Sequence, residues 1–265
     1  MSKIICITGA TDGIGKLTAQ MLASQGHTIL LHGRNPSKLD AVAQEIDGQT
    51  EQYIADLSNM RDVEAMANEI VHRHDRLDVL INNAGVLKTA HTKTREGLDI
   101  RFVVNTLAPY VLTHRLLPIM PKDGRVVNLS SAAQAPVNPE AMAGRLTLDD
   151  MGAYSQSKLA ITIWTQELAK VLSEGPVVVS VNPGSLLASK MVKEGFGIAG
   201  NDLSIGAEIL CKAALDDSFA HASGLYFDND ARRFGPPHSA AGNPAHVEMV
   251  MKAIEEALVL LSPDN

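Results

Sequence analysis

Apolar positions along the chain alternate between two rhythms. Short continuous runs at residues 4–7, 27–32, 52–55, 79–82, 125–129 and 177–181 are bounded by turn residues, which predicts strands. Between them, apolar residues return every three or four positions. Ile14, Leu17, Thr18, Met21 and Leu22 mark a first helix that Gly26 closes. Further helices are predicted over 38–46, 60–72, 97–117, 154–172, 205–214 and 245–261, with a short strand at 224–227. Pro109 falls inside the helix 97–117 and should kink it or limit its first part. Runs such as Val177-Val178-Val179 are apolar at consecutive positions, as in strands covered on both faces. The expected architecture is an α/β fold with a single doubly wound parallel sheet and helices on both faces, one domain over residues 1–265.

In such sheets ligands bind beyond the carboxyl ends of the strands, where the strand order reverses. Residues that follow strands are therefore the candidates for chemistry. Three irregular segments, 132–152, 184–200 and 228–243, follow strands and are expected to wall a substrate pocket. Their apolar side chains, among them Val137, Met142, Leu146, Leu148, Met191, Phe196, Ile198 and Phe234, suggest a lipophilic or aromatic substrate.

Composition narrows the class. The 265 residues are 45% hydrophobic and 20% charged, which suits a globular protein that needs no staple. A formal net charge of −7 argues against a nucleic-acid partner, which calls for a basic patch. The two cysteines, Cys6 and Cys211, lie in apolar patterns and are expected to be inert thiols in a reducing compartment. No signal-like segment precedes the first strand and no apolar stretch reaches membrane-spanning length, so a cytoplasmic location is expected. The histidines and acids show no metal-ligand spacing, and no nucleophile elbow of the hydrolase type is present.

Thr8-Gly9-Ala10-Thr11-Asp12-Gly13-Ile14-Gly15 joins the first strand to the first helix. Glycines there let the backbone approach a pyrophosphate, and the helix N-terminus offers free N–H groups to it. The second strand runs into His32-Gly33-Arg34-Asn35, without the carboxylate that would hold the ribose 2′-hydroxyl of NAD. Arg34 can pair with a 2′-phosphate instead, which favours NADP(H) over NAD(H). Asp12 works mildly against this, since its charge would oppose that phosphate.

Tyr154-Ser155-Gln156-Ser157-Lys158 places a phenol and an ammonium on one helix face, expected at the opening of that helix. A nearby cation favours the phenolate and would move the tyrosine toward useful acid–base strength. The strand 125–129 ends in Ser130-Ser131, where a hydroxyl can polarise a carbonyl oxygen. Asp149-Asp150 is read as a helix cap.

With these residues in place, the chain resembles the short-chain dehydrogenase/reductase family over essentially its whole length. The resemblance rests on the glycine loop, Asp56-Leu57-Ser58, Asn82-Asn83-Ala84-Gly85, Asn105, Ser130-Ser131, Tyr154 with Lys158, and Asn182-Pro183-Gly184. It implies a Rossmann-type fold, with Gly9, Thr11, Asp12, Gly13, Ile14 and Gly15 around the pyrophosphate. It further implies that Tyr154 passes the proton, Lys158 holds the nicotinamide ribose and lowers the tyrosine pKa, and Ser131 orients the substrate oxygen. Asn105 would hold a relay water, Asp56 and Leu57 would flank the adenine, Asn83, Ala84 and Gly85 would line the cofactor, and Pro183 and Gly184 would sit beside the nicotinamide.

Ser131 and Tyr154 are 23 residues apart, a long spacing that resembles the retinol-dehydrogenase-like and protochlorophyllide-reductase-like branch, as does Ser223-Gly224-Leu225-Tyr226-Phe227. One departure is Ala188 where the family carries a threonine, with Ser189 one position late. The implied activity is NADP(H)-dependent interconversion of a lipophilic carbonyl and its alcohol in a homodimer or homotetramer. A non-catalytic NADP-binding regulator and a reductase of C=C bonds stay open as alternatives.

Overall fold

The computed structural model describes residues 2–188, 197 and 200–262. Strands and helices alternate: β1 (Ile4–Ile7), α1 (Gly13–Ser24), β2 (Thr28–Gly33), α2 (Pro36–Glu45), β3 (Thr50–Ile54), α3 (Met60–Arg73) and β4 (Val79–Asn82). Then come α4 (Ile100–Phe102), a π-helical turn (Val103–Leu107), α5 (Ala108–Leu116), β5 (Arg125–Leu129), α6 (Pro139–Met142) and α7 (Asp150–Val171). The chain continues with β6 (Val177–Asn182), α8 (Leu203–Leu215), β7 (Tyr226–Asp228), β8 (Arg233–Gly235) and α9 (Pro244–Leu260). Among the described residues these strands make one eight-stranded sheet in the order β3-β2-β1-β4-β5-β6-β7-β8, parallel except for β8.

Alternate strand residues feed two apolar layers. Cys6, Leu30, Leu80, Val126 and Val178 share one core with α3, α5, α7 and α9. Ile5, Ile7, Ile29, Leu31, Val127 and Val179 share the other with α1, α2 and α8. Both thiols are buried, which pushes each pKa up to about 12. Strands buried on both faces explain the unbroken apolar runs.

The register aligns the carboxyl ends. Ile7 pairs with Ile81, Asn82 with Asn128, Leu129 with Val181, and Asn182 with Asp228. The loops after β1, β4, β5 and β6 therefore leave the sheet side by side. The chain winds outward from β1 to β3 and resumes at β4 on the other flank of β1, so the reversal point lies between β1 and β4.

Three expectations are corrected. The helix 97–117 is interrupted, and Pro109 falls in the first turn of α5, directly after the π-helical turn. There a missing N–H breaks no ladder that the wider turn has not already broken. Helix α7 begins at Asp150, four residues before Tyr154, because Asp149 caps it by accepting a hydrogen bond from the Gly152 amide at 2.6 Å. The segment 132–152 thus contains α6 and the start of α7, and 228–243 contains β8. Among the described residues no helix is long and apolar enough to cross a membrane.

Candidate active site

The loop after β1 turns on two glycines with left-handed backbone, Gly9 at φ 67° and Gly13 at φ 56°. Asp12 accepts from the Gly13 amide at 2.7 Å and caps α1, so its carboxylate is committed to the helix terminus. Gly15 is packed so tightly that a methyl group there would run into Asn83 Nδ2 and the Gly9 carbonyl, and one on Gly33 would run into the Thr11 methyl. Asn83 Nδ2 donates to the carbonyls of Thr8 (2.8 Å) and Gly9 (3.2 Å), while the Ala84 amide donates to Thr8 Oγ1 (3.0 Å). Residues 83 and 84 thereby fasten the β4 loop, which Gly85 continues, to the glycine loop across the reversal point.

His32 was not a candidate from sequence, since it sits within a strand, yet it organises this region. Its Nδ1 accepts from the Gly9 amide at 3.1 Å, and its Nε2 lies 3.1 Å from the Ala55 carbonyl. An acceptor on one nitrogen and a carbonyl on the other fix the neutral Nε2–H tautomer. Burial pushes the pKa down to about 4, with the Ala55 hydrogen bond and the Asp56 charge opposing. Asp56 itself accepts from the Ser58 amide (2.9 Å) and hydroxyl (2.8 Å), and Leu57 is buried. Arg34 is exposed just ahead of α2, and among the described residues no carboxylate pairs with it.

The reactive groups gather between β5 and α7. Tyr154 is half-buried, with Ser131 near enough to favour its phenolate. Ser131 Oγ also accepts from the Ala133 amide at 3.1 Å. Lys158 is buried, donates from Nζ to the Leu129 carbonyl at 2.7 Å and lies 5.6 Å from the Tyr154 ring centroid. Burial lowers its pKa to about 8. Burial raises the Tyr154 phenol above its usual value, and the Ser131 hydroxyl opposes that shift. Ser130 is turned away, bonded to Thr162 Oγ1 (2.7 Å) and the Lys158 carbonyl (3.1 Å).

Asn105 sits in the π-helical turn, and its side chain is fully engaged by protein. Nδ2 donates to the Val86 carbonyl (3.0 Å) and Ser157 Oγ (2.9 Å), and Oδ1 accepts from the Val86 amide (2.8 Å). Ser157 in turn donates to the Tyr154 carbonyl at 2.7 Å. The side chain thus braces α7 against the β4 loop.

Beyond β6, Gly184 has φ 122° and its amide donates to Asn182 Oδ1 at 3.2 Å. Asn229 Nδ2 donates to the Pro183 carbonyl (2.9 Å), and Asp230 accepts from the Ser185 amide (2.8 Å) and hydroxyl (2.6 Å). These anchors from the β7–β8 turn were not legible in the motif. Ala188 bonds through its amide to the Asn201 carbonyl at 2.6 Å. Ser189, Met191, Phe196 and Ile198 lie outside the described residues. Of the other side chains expected in the pocket, Val137 and Met142 belong to the core and Phe234 packs on Phe219 and Phe227, while Leu146 is exposed. Among the described residues no cluster of three or more His, Cys, Asp or Glu could hold a metal.

Comparison with known proteins agrees with this geometry. Residues 3–196 match the family model described as short chain dehydrogenase. Retinol dehydrogenase 13 of Homo sapiens is 32% identical over 89% of this chain and 79% of its own. An uncharacterized protein from Mycobacterium Paratuberculosis superposes with a TM-score of 0.80 at 28% identity, covering 96% of this chain and 92% of that one. A short chain dehydrogenase from Shigella flexneri 2a str. 301, complexed with NADP, superposes with a TM-score of 0.69 at 29% identity over 86% and 97%. With a reversal-point glycine cradle, a serine–tyrosine–lysine cluster at the strand ends and these relatives, the chain belongs to the short-chain dehydrogenase/reductase family of oxidoreductases, in its retinol-dehydrogenase-like branch.

Proposed function

We propose that the chain is an NADP(H)-dependent oxidoreductase that interconverts a lipophilic carbonyl compound and its alcohol, with Tyr154 as general acid and base. The observation that carries this is the convergence of Ser131, Tyr154 and the Lys158 ammonium at the strand ends, with Lys158 Nζ 5.6 Å from the Tyr154 ring centroid. The glycine cradle fits a dinucleotide, because Gly9 and Gly13 turn the loop through left-handed backbone onto the N-terminus of α1. Arg34, exposed and unpaired among the described residues, suits a 2′-phosphate, and the Shigella relative was solved with NADP. The lipophilic substrate class follows the names of the retinol dehydrogenase relatives.

A bound nicotinamide supplies or accepts the hydride. In the reducing direction Ser131 donates a hydrogen bond to the substrate oxygen and holds it toward Tyr154. Its own oxygen accepts from the Ala133 amide, which leaves the hydroxyl hydrogen free to point at that oxygen or at Tyr154. Tyr154 gives its proton to the alkoxide as negative charge develops there. A phenol kept above its usual pKa is stable as the proton-bearing form, which suits the reducing direction. Lys158, held by the Leu129 carbonyl, places positive charge beside the phenolate that remains.

Assay with retinaldehyde and a panel of other lipophilic aldehydes and ketones, using NADPH and NADH in parallel, tests this. Wild type should consume NADPH in preference to NADH, and Tyr154→Phe should lose turnover while binding NADPH normally. Full activity in Tyr154→Phe would reject the mechanism. NADPH binding without turnover on any carbonyl would favour a regulator.

A further inference from the structure

Tyr226 belongs to a sequence segment that the cofactor and proton-transfer machinery leave unused. It lies on β7 and is buried. Its hydroxyl donates to the Ser131 carbonyl at 3.1 Å. The same carbonyl accepts from Gln134 Nε2 at 3.0 Å, and Gln134 Nε2 also reaches Ser130 Oγ at 3.1 Å. Gln134 is fixed in turn, since its Oε1 accepts from the His238 amide at 2.9 Å. Two donors from different parts of the chain therefore converge on one carbonyl, and that carbonyl belongs to the residue whose hydroxyl meets Tyr154.

We propose that Tyr226 and Gln134 are positioning residues for Ser131. They clamp its peptide from β7 and from the loop after β5, so that its hydroxyl stays aimed at Tyr154 and the substrate oxygen. The inference rests on the role proposed above for Ser131. A carbonyl with both lone pairs occupied cannot rotate its peptide plane without breaking two hydrogen bonds. Nor is the clamp dispensable packing, because the Ser131 backbone lies past the last ladder residue of β5, Leu129. The Ser130 amide still bonds to the Val181 carbonyl at 2.8 Å, but for the Ser131 carbonyl the partners are these two side chains. Burial raises the Tyr226 phenol above its usual value, so it remains a donor throughout the working range.

The test uses the whole 265-residue chain labelled with ¹³Cζ-tyrosine. The four tyrosines are Tyr53, Tyr110, Tyr154 and Tyr226, and Tyr154→Phe assigns the Tyr154 signal. Because the nearby Ser131 hydroxyl favours the Tyr154 phenolate, any displacement of Ser131 should move the Tyr154 titration to higher pH. Tyr226→Phe, which keeps the ring, should do so, lower kcat roughly tenfold to a hundredfold, and leave NADPH affinity unchanged. Gln134→Met should act in the same sense. Ser131→Ala should shift the titration too, and adding Tyr226→Phe to it should change neither the titration nor kcat further.

A wild-type titration and kcat in both Tyr226→Phe and Gln134→Met would overturn the inference, as would full additivity with Ser131→Ala. If Ser131→Ala is impaired while the clamp variants are silent, the clamp fails and the role of Ser131 stands. If Ser131→Ala is itself silent, the role of Ser131 fails and the clamp falls with it.

Discussion

Acid should loosen the phosphate loop through one side chain, His32. In the unfolded chain an imidazole binds its proton near 6.5, whereas in the fold burial holds His32 to about 4. Between those values the unfolded chain carries more protons than the folded one. Stability therefore rises with pH across this window, is fully present above about 6.5, and is lost as pH falls toward 4. At about 1.4 kcal/mol per pH unit the gap amounts to about 3 kcal/mol. Protonation would also set an Nδ1–H against the Gly9 amide, replacing a 3.1 Å hydrogen bond by two opposed donors. The charged group facing the ring is Asp56, which is included in the value of about 4. His32→Asn keeps an acceptor near the Nδ1 position but cannot take up a proton in this range. Urea unfolding of wild type and His32→Asn between pH 4.5 and 7.5 gives the slope of stability against pH for each. Wild type should lose up to about 3 kcal/mol more than the variant over the window. His27 and His246, whose pKa values are also lowered by burial, contribute equally to both proteins. Parallel slopes would refute the role assigned to His32.

Three further substitutions follow from the geometry. Gly15→Ala forces a methyl against Asn83 Nδ2 and the Gly9 carbonyl; it should cost about 1–3 kcal/mol and weaken NADPH binding, seen by calorimetric melting and by NADPH fluorescence titration. Arg34→Ala should weaken NADPH binding roughly tenfold to a hundredfold and leave NADH unaffected, and equal losses for both nucleotides would contradict the 2′-phosphate contact. Arg101, buried and bonded to Asp99 and Asp150, ties α4 to the start of α7; Arg101→Met strands the largely buried Asp99 and should lower the melting temperature by roughly 10 °C.

The central strands were legible because burial on both faces writes an unbroken apolar run; the predicted bounds of β1, β4 and β5 match the structure, and those of β2, β3 and β6 differ by one or two residues. The glycine loop and the cap at Asp149 were legible because each residue type there answers a local backbone need. The π-helical turn was not: over five residues its period departs too little from that of an α-helix to alter the apolar pattern. His32 was hidden because a histidine within a strand carries no signal of what its ring will meet across 23 residues of sequence. Val137 and Met142 misled in the opposite way, since apolar side chains in an irregular segment can serve the core as readily as a pocket. The clamp on Ser131 spans 95 residues between Tyr226 and its acceptor, a distance that only the fold closes.

The turn at Val103–Leu107 sets the rotational phase of what lies before it relative to α5. Each residue of an α-helix advances the chain by about 100°, so a π-turn acts as one residue of added phase within an otherwise helical rod. Upstream of it Arg101 faces the start of α7; within it Asn105 faces Val86 and Ser157; downstream of it Leu112 and Leu116 face the core. Removing one residue from this stretch would restore a uniform helix and swing one set of contacts away by about 100°. The alignment of Tyr154 with the strand ends thus depends on the length of a segment as much as on its residues, and a one-residue deletion there would dismantle the site without substituting Ser131, Tyr154 or Lys158.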